Sequence, residues 1–193
     1  MTRFTRFLTI AVTTFILGGT SYTQQNFKID SLGAGGAKVG MTVAKARTAM
    51  KGCQFSRGSD GEGIALIDVS CRGSRTMTLY AGEEYDVENP IDFRARIEMI
   101  EVWDPRFKTA QGIHVGMPVA DAERRLGKIK EIILTPIESR EFIFFSKPTP
   151  NIRYRFYGGI YPPRSSFTTD YQEGAKLWSI QVEIDQVSRQ PEA

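Results

Sequence analysis

The sequence predicts an α+β fold of two tandem repeats, each a short helix packed on a three- or four-stranded antiparallel sheet. Three observations lead there. Lys38–Ala46 reads KVGMTVAKA and His114–Ala122 reads HVGMPVADA, with six of nine positions identical at an offset of 76. The likeness continues downstream, where Ile67, Ser70 and Gly82 fall on Ile143, Ser146 and Gly158. At an offset of 80, ARIEMIEV (95–102) then falls on AKLWSIQV (175–182), so four extra residues lie between Tyr157 and Ala175. Self-similarity at a fixed spacing marks duplication of a structural unit, and a helix followed by a run of strands is the α+β pattern.

The first segment is a targeting signal. Residues 1–23 read MTRFTRFLTIAVTTFILGGTSYT: Arg3 and Arg6, an apolar run from Phe7 to Leu17, then Gly18, Gly19 and small residues. A basic, then apolar, then small order is a secretory signal peptide. The run falls well short of the roughly 20 residues a membrane-spanning helix needs. An uncleaved N-terminal anchor is the alternative. No later stretch is apolar enough to cross a membrane, and no cysteine follows Leu17-Gly18-Gly19 as a lipid-attachment site would require. The mature chain is therefore expected to be periplasmic or secreted, without stable membrane insertion.

Next comes Gly33-Ala34-Gly35-Gly36-Ala37-Lys38, whose spacing fits neither the Walker A nor the dinucleotide fingerprint. It reads as a flexible lead-in. The first repeat covers 30–104, the second 105–186, and 187–193 is a tail. Val43, Ala46 and Met50 lie at i, i+3, i+7, as do Val119, Ala122 and Leu126, giving each helix one apolar stripe. Pro118 suits a helix start, and Gly52 and Gly127 suit helix stops. Alternation predicts strands at Ile64–Cys71, Thr76–Ala81 and Ala95–Trp103, and then at Ile129–Leu134, Glu141–Ser146, Ile152–Tyr157 and Leu177–Ile184. Gly58-Ser59-Asp60-Gly61 and Lys147-Pro148-Thr149-Pro150 are turns. With helices on one side, the other sheet face is left open, and function is expected there.

Composition excludes several classes. The chain has 193 residues, 41% apolar and 24% charged, which rules out a disordered or collagen-like protein. One histidine and two cysteines are too few for a zinc site built from those ligands, so no metal or cofactor is expected. Losing Arg3 and Arg6 takes 25 Lys+Arg to 23 against 22 Asp+Glu, so nucleic-acid binding has little electrostatic support.

Individual residues refine this. Cys53 and Cys71 are expected to pair as a disulfide in an exported protein. Their spacing is not Cys-x-x-Cys, which sets aside a redox pair. His114, the single histidine, is read as structural rather than as a catalytic base. Glu83, Glu84, Asp86, Glu88 and Asp92 are read as a solvated connecting loop, with calcium or a basic partner as alternatives.

Along 152–157, Ile152, Tyr154 and Phe156 share one face, while Arg153, Arg155 and Tyr157 share the other. If Ile100 and Val102 face the core, alternation turns Met99 and Trp103 the opposite way, to the side of the arginines; packing of Trp103 in the core is the alternative. A one-residue slip would exchange the faces, because Met77 and Leu79 fall on the arginines at the 76 offset. The segment from Gly158 to Ala175, with Tyr161, Phe167 and Tyr171, is either a recognition loop or a self-packed loop shielding the sheet edge.

The stretch VGMTVAKARTAMKGC (39–53) followed by DVSC (68–71) resembles repeats of the β-lactamase inhibitory proteins. Its Gly-Met-Thr helix start is also similar to that of the small outer-membrane-assembly lipoproteins of the SmpA/OmlA type. The resemblance implies a protein-binding module of two tandem α/β repeats that grips its partner on a concave, aromatic-rich sheet surface, with no catalytic residues to carry over. The sequence departs from it in lacking a second cysteine pair, with Ile129 and Lys147 at the matching positions, and in lacking a lipid-attachment cysteine.

The expected function is an exported, non-enzymatic protein-binding module, in the manner of an inhibitor. Trp103, Arg153, Arg155, Tyr157 and Tyr161 would make the contact. A structural role in cell-envelope assembly is the alternative, and a carboxylate-dependent hydrolase is the last choice.

Overall fold

The computed structural model describes residues 26–61, 63–82, 88–136 and 138–184. Residues 1–23, predicted to be a signal segment, and the tail lie outside the described residues, as do Glu83, Glu84 and Asp86 of the acidic run. Among the described residues the fold is α+β, with two helices and two antiparallel sheets of three and nine strands.

The small sheet is a meander of β1 (Ile29–Asp30), β2 (Gly33–Ala34) and β3 (Ala37–Lys38). The glycine-rich lead-in is therefore a packed element, not a flexible one. Ala34 and Ala37 are buried. A Cβ on Gly33 would sit 2.1 Å from the Ala37 carbonyl oxygen, and one on Gly36 would sit 3.0 Å from the Cβ of Ala49. The glycines are required by close packing, a use that composition alone cannot distinguish from flexibility.

Helix α1 (Val43–Ala49) begins at Thr42, whose hydroxyl oxygen accepts from the Lys45 N–H at 3.4 Å. Helix α2 (Val119–Leu126) begins after Pro118, which offers no side-chain cap. Val43, Ala46 and Met50 are buried, and so are Val119, Ala122 and Leu126, as the periodicity predicts.

The shared Val-Gly-Met string has a definite backbone task. Gly40 and Gly116 adopt φ of +85° and +81°, and their N–H groups donate to the carbonyls of Ile97 and Leu177 at 2.7 and 2.8 Å. Ile97 and Leu177 donate back to the carbonyls of Met41 and Met117, each at 2.9 Å. The first helical residues, Val43 and Val119, donate to Ala95 and Ala175 at 3.0 and 2.9 Å. Ala95–Ile97, predicted to begin a strand, instead satisfies this helix start.

The large sheet comprises β4 (Cys53–Ser59), β5 (Ala65–Cys71), β6 (Ser74–Tyr80), β7 (Met99–Val102), β8 (Ile129–Leu134), β9 (Glu141–Phe145), β10 (Ile152–Phe156), β11 (Phe167–Thr168) and β12 (Leu177–Glu183). Its order is β11-β8-β9-β10-β12-β7-β6-β5-β4. The two halves of the chain therefore share one continuous sheet, joined where β7 pairs antiparallel with β12. Strand β4 escapes sequence reading because CQFSRGS shows no apolar alternation, and Gly58-Ser59 belongs to it rather than to the turn.

Both helices pack on one face of this sheet. Val43, Ala46, Val119, Ala122 and Leu126 join Ile67, Val69, Met77, Leu79, Ile143, Tyr154 and Ile180 in one core. At the β4 edge Cys53 and Cys71 are directly opposed across the ladder, with Cα atoms 4.3 Å apart, and form a disulfide. It closes a loop spanning a separation of 18 residues. The Cys53→Ala/Cys71→Ala variant is expected to lose about 3 kcal/mol of stability through the freer unfolded chain. A urea titration of the oxidised protein against the variant measures it.

Candidate binding face

The strand register settles which side chains leave the helix-covered face. Met77 opposes Val102 and Leu79 opposes Ile100, while Tyr154 opposes Ile180 and Ile152 opposes Val182. All eight are buried in the core. Arg153, Arg155 and Trp103 consequently project from the helix-free face, and the ambiguity over a one-residue slip is resolved in that sense. One row on this face runs Arg153–Gln181–Glu101–Thr78–Asp68–Ser56 across six strands.

The centre of that face is not open. Glu101, Ser179, Gln181 and Thr78 are buried, and so is Arg155. One Glu101 oxygen accepts from Arg155 Nη1 at 2.6 Å and from the Ser179 hydroxyl at 2.5 Å, and the other accepts from the Tyr80 hydroxyl at 3.2 Å. Arg155 thus points away from the helices, as predicted, but it neutralises a buried carboxylate instead of waiting for an acidic partner. A charge removed from water needs such a partner. Asp60, after β4, reaches Arg140, before β9, at 3.8 Å, and Arg140 also pairs with Glu138 at 2.6 Å. Segments adjoining strands near opposite ends of the sheet order therefore meet, which requires a strongly coiled sheet.

The two halves of the face differ in character. Around β4–β6 it carries Ser56, Asp68 and Thr78. Thr78 Oγ1 donates to Asp68 Oδ1 at 2.9 Å and accepts from the Trp103 indole N–H at 2.9 Å. The Arg75 guanidinium lies over the Trp103 ring at 4.8 Å and pairs with Asp68 at 2.8 Å. Trp103 is outward but half-buried, with its indole N–H and its ring face both engaged within the fold.

Around β8, β9 and β11 the face is largely apolar, with Ile133, Phe142, Phe144 and Phe167 beside Glu131. A cross-strand row runs Phe167–Ile133–Phe142–Arg155. Tyr157, just beyond β10, packs its ring edge-on against Trp178, with centroids 5.4 Å apart. Trp178 is the extra residue where the β10–β12 register shifts between Arg155 and Phe156. Tyr157 is 50% exposed and Trp178 53% exposed. Arg153 pairs with Glu183 at 3.1 Å near the surface.

The 158–175 segment shields the sheet edge, the second of the two roles open to it. Its β11 covers the outer edge of β8, and the Leu134 N–H donates to the Ser166 carbonyl at 2.9 Å. It also presents Ile160 and Phe167 to solvent. Glu141 anchors its base by accepting from the Gly158 and Gly159 N–H groups at 2.6 and 3.2 Å. Tyr161, predicted to be a contact residue, packs against the helix-side core instead. Its hydroxyl is buried without a hydrogen bond of ordinary geometry.

Trp178 is the residue that sequence reading missed. A signal was present: at the 80 offset it falls on Glu98, an exposed charged residue in the first half. An indole where the related position carries a carboxylate is an indole in water. His114 is half-buried, with Nδ1 2.9 Å from the Val115 carbonyl oxygen. Asp92 is engaged locally, accepting from the Arg94 N–H at 2.9 Å. Among the described residues no group of three or more His, Cys, Asp or Glu side chains is placed to hold a metal, and no helix is long and apolar enough to cross a membrane.

Burial, and then the Glu101 carboxylate, push the Tyr80 hydroxyl well above the ordinary phenol range. Burial, and then Glu141, do the same to Tyr161. Burial also raises Tyr154. A raised folded-state pKa favours the folded form while the unfolded phenols are still protonated, and the advantage is lost as pH rises through and beyond their ordinary value of about 10. Stability is therefore expected to fall steadily above about pH 10. Urea midpoints across that range, alongside tyrosinate absorbance, check it.

No protein-family model and no curated protein matches the chain. Among solved structures, the uncharacterized yfeY protein of Escherichia coli shares the fold. It superposes with a TM-score of 0.54 at 14% identity, over 81% of this chain and 99% of that one. At that identity the likeness concerns the fold alone.

Proposed function

We propose that this chain is an exported, non-enzymatic protein-binding module that grips its partner with the apolar half of the helix-free face. One observation carries the reading. Of the five large apolar side chains exposed among the described residues, four lie between 157 and 178: Tyr157, Ile160, Phe167 and Trp178. Tyr157 and Trp178 touch one another, Phe167 lies across the ladder from Ile133, and exposed aromatic surface of this kind marks interaction sites, whose hot spots are rich in Trp and Tyr.

The Cys53–Cys71 disulfide supports export, since such bonds persist in oxidising compartments. The recurrent Val-Gly-Met hydrogen bonds, and the register that sets Glu101 opposite Gln181 at the seam, support descent from a duplicated unit. In that reading the polar first half is scaffold and the aromatic second half has diverged toward recognition.

The test is capture from the host's periplasmic or secreted fraction, with the oxidised protein on one column and its Trp178→Ala variant on another. A single protein held near equal stoichiometry by the first and lost from the second is the expected result. Identical profiles on both columns would sink the reading.

A further inference from the structure

We infer that Arg155 is a positioning residue for the Tyr157–Trp178 pair, coupling the buried carboxylate at the sheet seam to the exposed aromatic surface. The inference rests on the proposed role of that surface. It begins from a chain of contacts. Tyr80 and Glu101 come from the first half of the chain, and Arg155, Ser179, Tyr157 and Trp178 from the second. Glu101 Oε1 fixes Arg155 Nη1 at 2.6 Å, and the other terminal nitrogen of the same guanidinium, Nη2, stands 3.5 Å from the Tyr157 hydroxyl. Tyr157 in turn sets its ring edge-on to Trp178, with an interplanar angle of 69°.

The exposed pair needs such support. Tyr157 lies beyond the last residue of β10, and Trp178 is the bulged residue of β12, so the backbone ladder does not pair them directly. Half-exposed side chains without a fixed contact sample several rotamers, and ordering them on binding lowers affinity. A guanidinium is a planar fork whose two arms can hold two groups at a fixed angle, whereas an ammonium is a single point. The buried pair is otherwise hard to explain, because an ion pair taken out of water seldom stabilises more than apolar side chains of the same volume. Positioning gives it a use.

The experiment uses the oxidised mature protein labelled with 5-fluorotryptophan and needs no partner. The chain has two tryptophans, so the fluorine spectrum has two signals, with Trp103 as the internal control. A Trp178→Phe variant assigns them. Arg155→Lys retains a cation for Glu101 but removes the second arm, and Tyr157→Phe removes only the hydroxyl. Each is expected to move the Trp178 signal toward that of free, solvated tryptophan and to leave Trp103 in place. The double variant is expected to show no more than the larger single effect, because both changes break one contact.

A Trp178 signal unmoved by Arg155→Lys, equal movement of both signals, or simple addition of the two effects would overturn the inference. Should Arg155→Lys fail to fold, Tyr157→Phe decides alone: a selective shift of Trp178 supports the coupling and its absence removes it. Because the readout is order in the free protein, its failure is distinct from a failure to capture a partner.

Discussion

An E101A variant is expected to lose about 3–5 kcal/mol of stability, the usual cost of leaving a buried charge without its counterpart. Glu101 has a side-chain exposure of 1% and Arg155 of 8%, so the guanidinium left behind could not recover its hydration without opening the sheet. The Ser179 and Tyr80 hydroxyls would lose their acceptor at the same time. The Glu101→Met/Arg155→Met double variant should recover most of that loss, because it removes both charges and fills the space with apolar side chains. Urea titrations with unchanged slopes make the comparison direct. A double variant as unstable as the single one would show that the hydroxyl network, not the charge pair, is what the seam requires.

The second large effect falls on affinity and spares stability. Trp178→Ala is expected to weaken partner binding by about 2 kcal/mol or more, roughly 30-fold, as is typical for a hot-spot tryptophan. Its melting behaviour should stay within about 0.5 kcal/mol of the parent, because the indole is largely in water. Tyr157→Ala should act in the same direction. The double variant should fall short of the sum, since the two rings touch. Trp103→Ala should do the reverse, lowering stability with little effect on affinity. Its indole donates to Thr78 and lies under Arg75, so its removal takes a donor from Thr78 and the ring from beneath Arg75. Binding titrations and thermal melts on the same four proteins separate the two cases. If Trp103→Ala abolished binding in a stable protein, the recognition surface would have to be moved to the first half of the face.

The placement of Arg155 shows how far sequence reading reaches. Alternation along IRYRF gives its direction, away from Ile152, Tyr154 and Phe156, and the ladder agrees. Nothing local says that Glu101, 54 residues away, will stand beneath it. The same limit explains Tyr161. An aromatic in a long segment reads as exposed, but this segment folds back along β8 and turns that ring into the core. Strand β4 and the glycine-rich meander were illegible for another reason. An edge strand has too little burial to imprint a period on its side chains, and a glycine selected for close approach is written with the same letter as one selected for freedom.

Elements that depend on neighbours in the chain can be read from the residues alone. These are the two apolar-striped helices, the Val-Gly-Met strings that lead into them, most strands, and the placing of Arg153 and Arg155 on the strand face opposite Ile152, Tyr154 and Phe156. The sequence also identified the two cysteines that bond. Long-range pairing sets the rest: the strands merge into one nine-stranded sheet, Arg153, Arg155 and Trp103 fall on its helix-free face, a buried ion pair closes the centre of that face, and Trp178 stands beside Tyr157 at the surface. The physical reason is the range of the forces involved. Helix periodicity and strand alternation are set within a few residues by backbone geometry. Burial of a charge, and exposure of an indole, depend on what strands distant in sequence bring alongside, and on how far the sheet coils to bring them there.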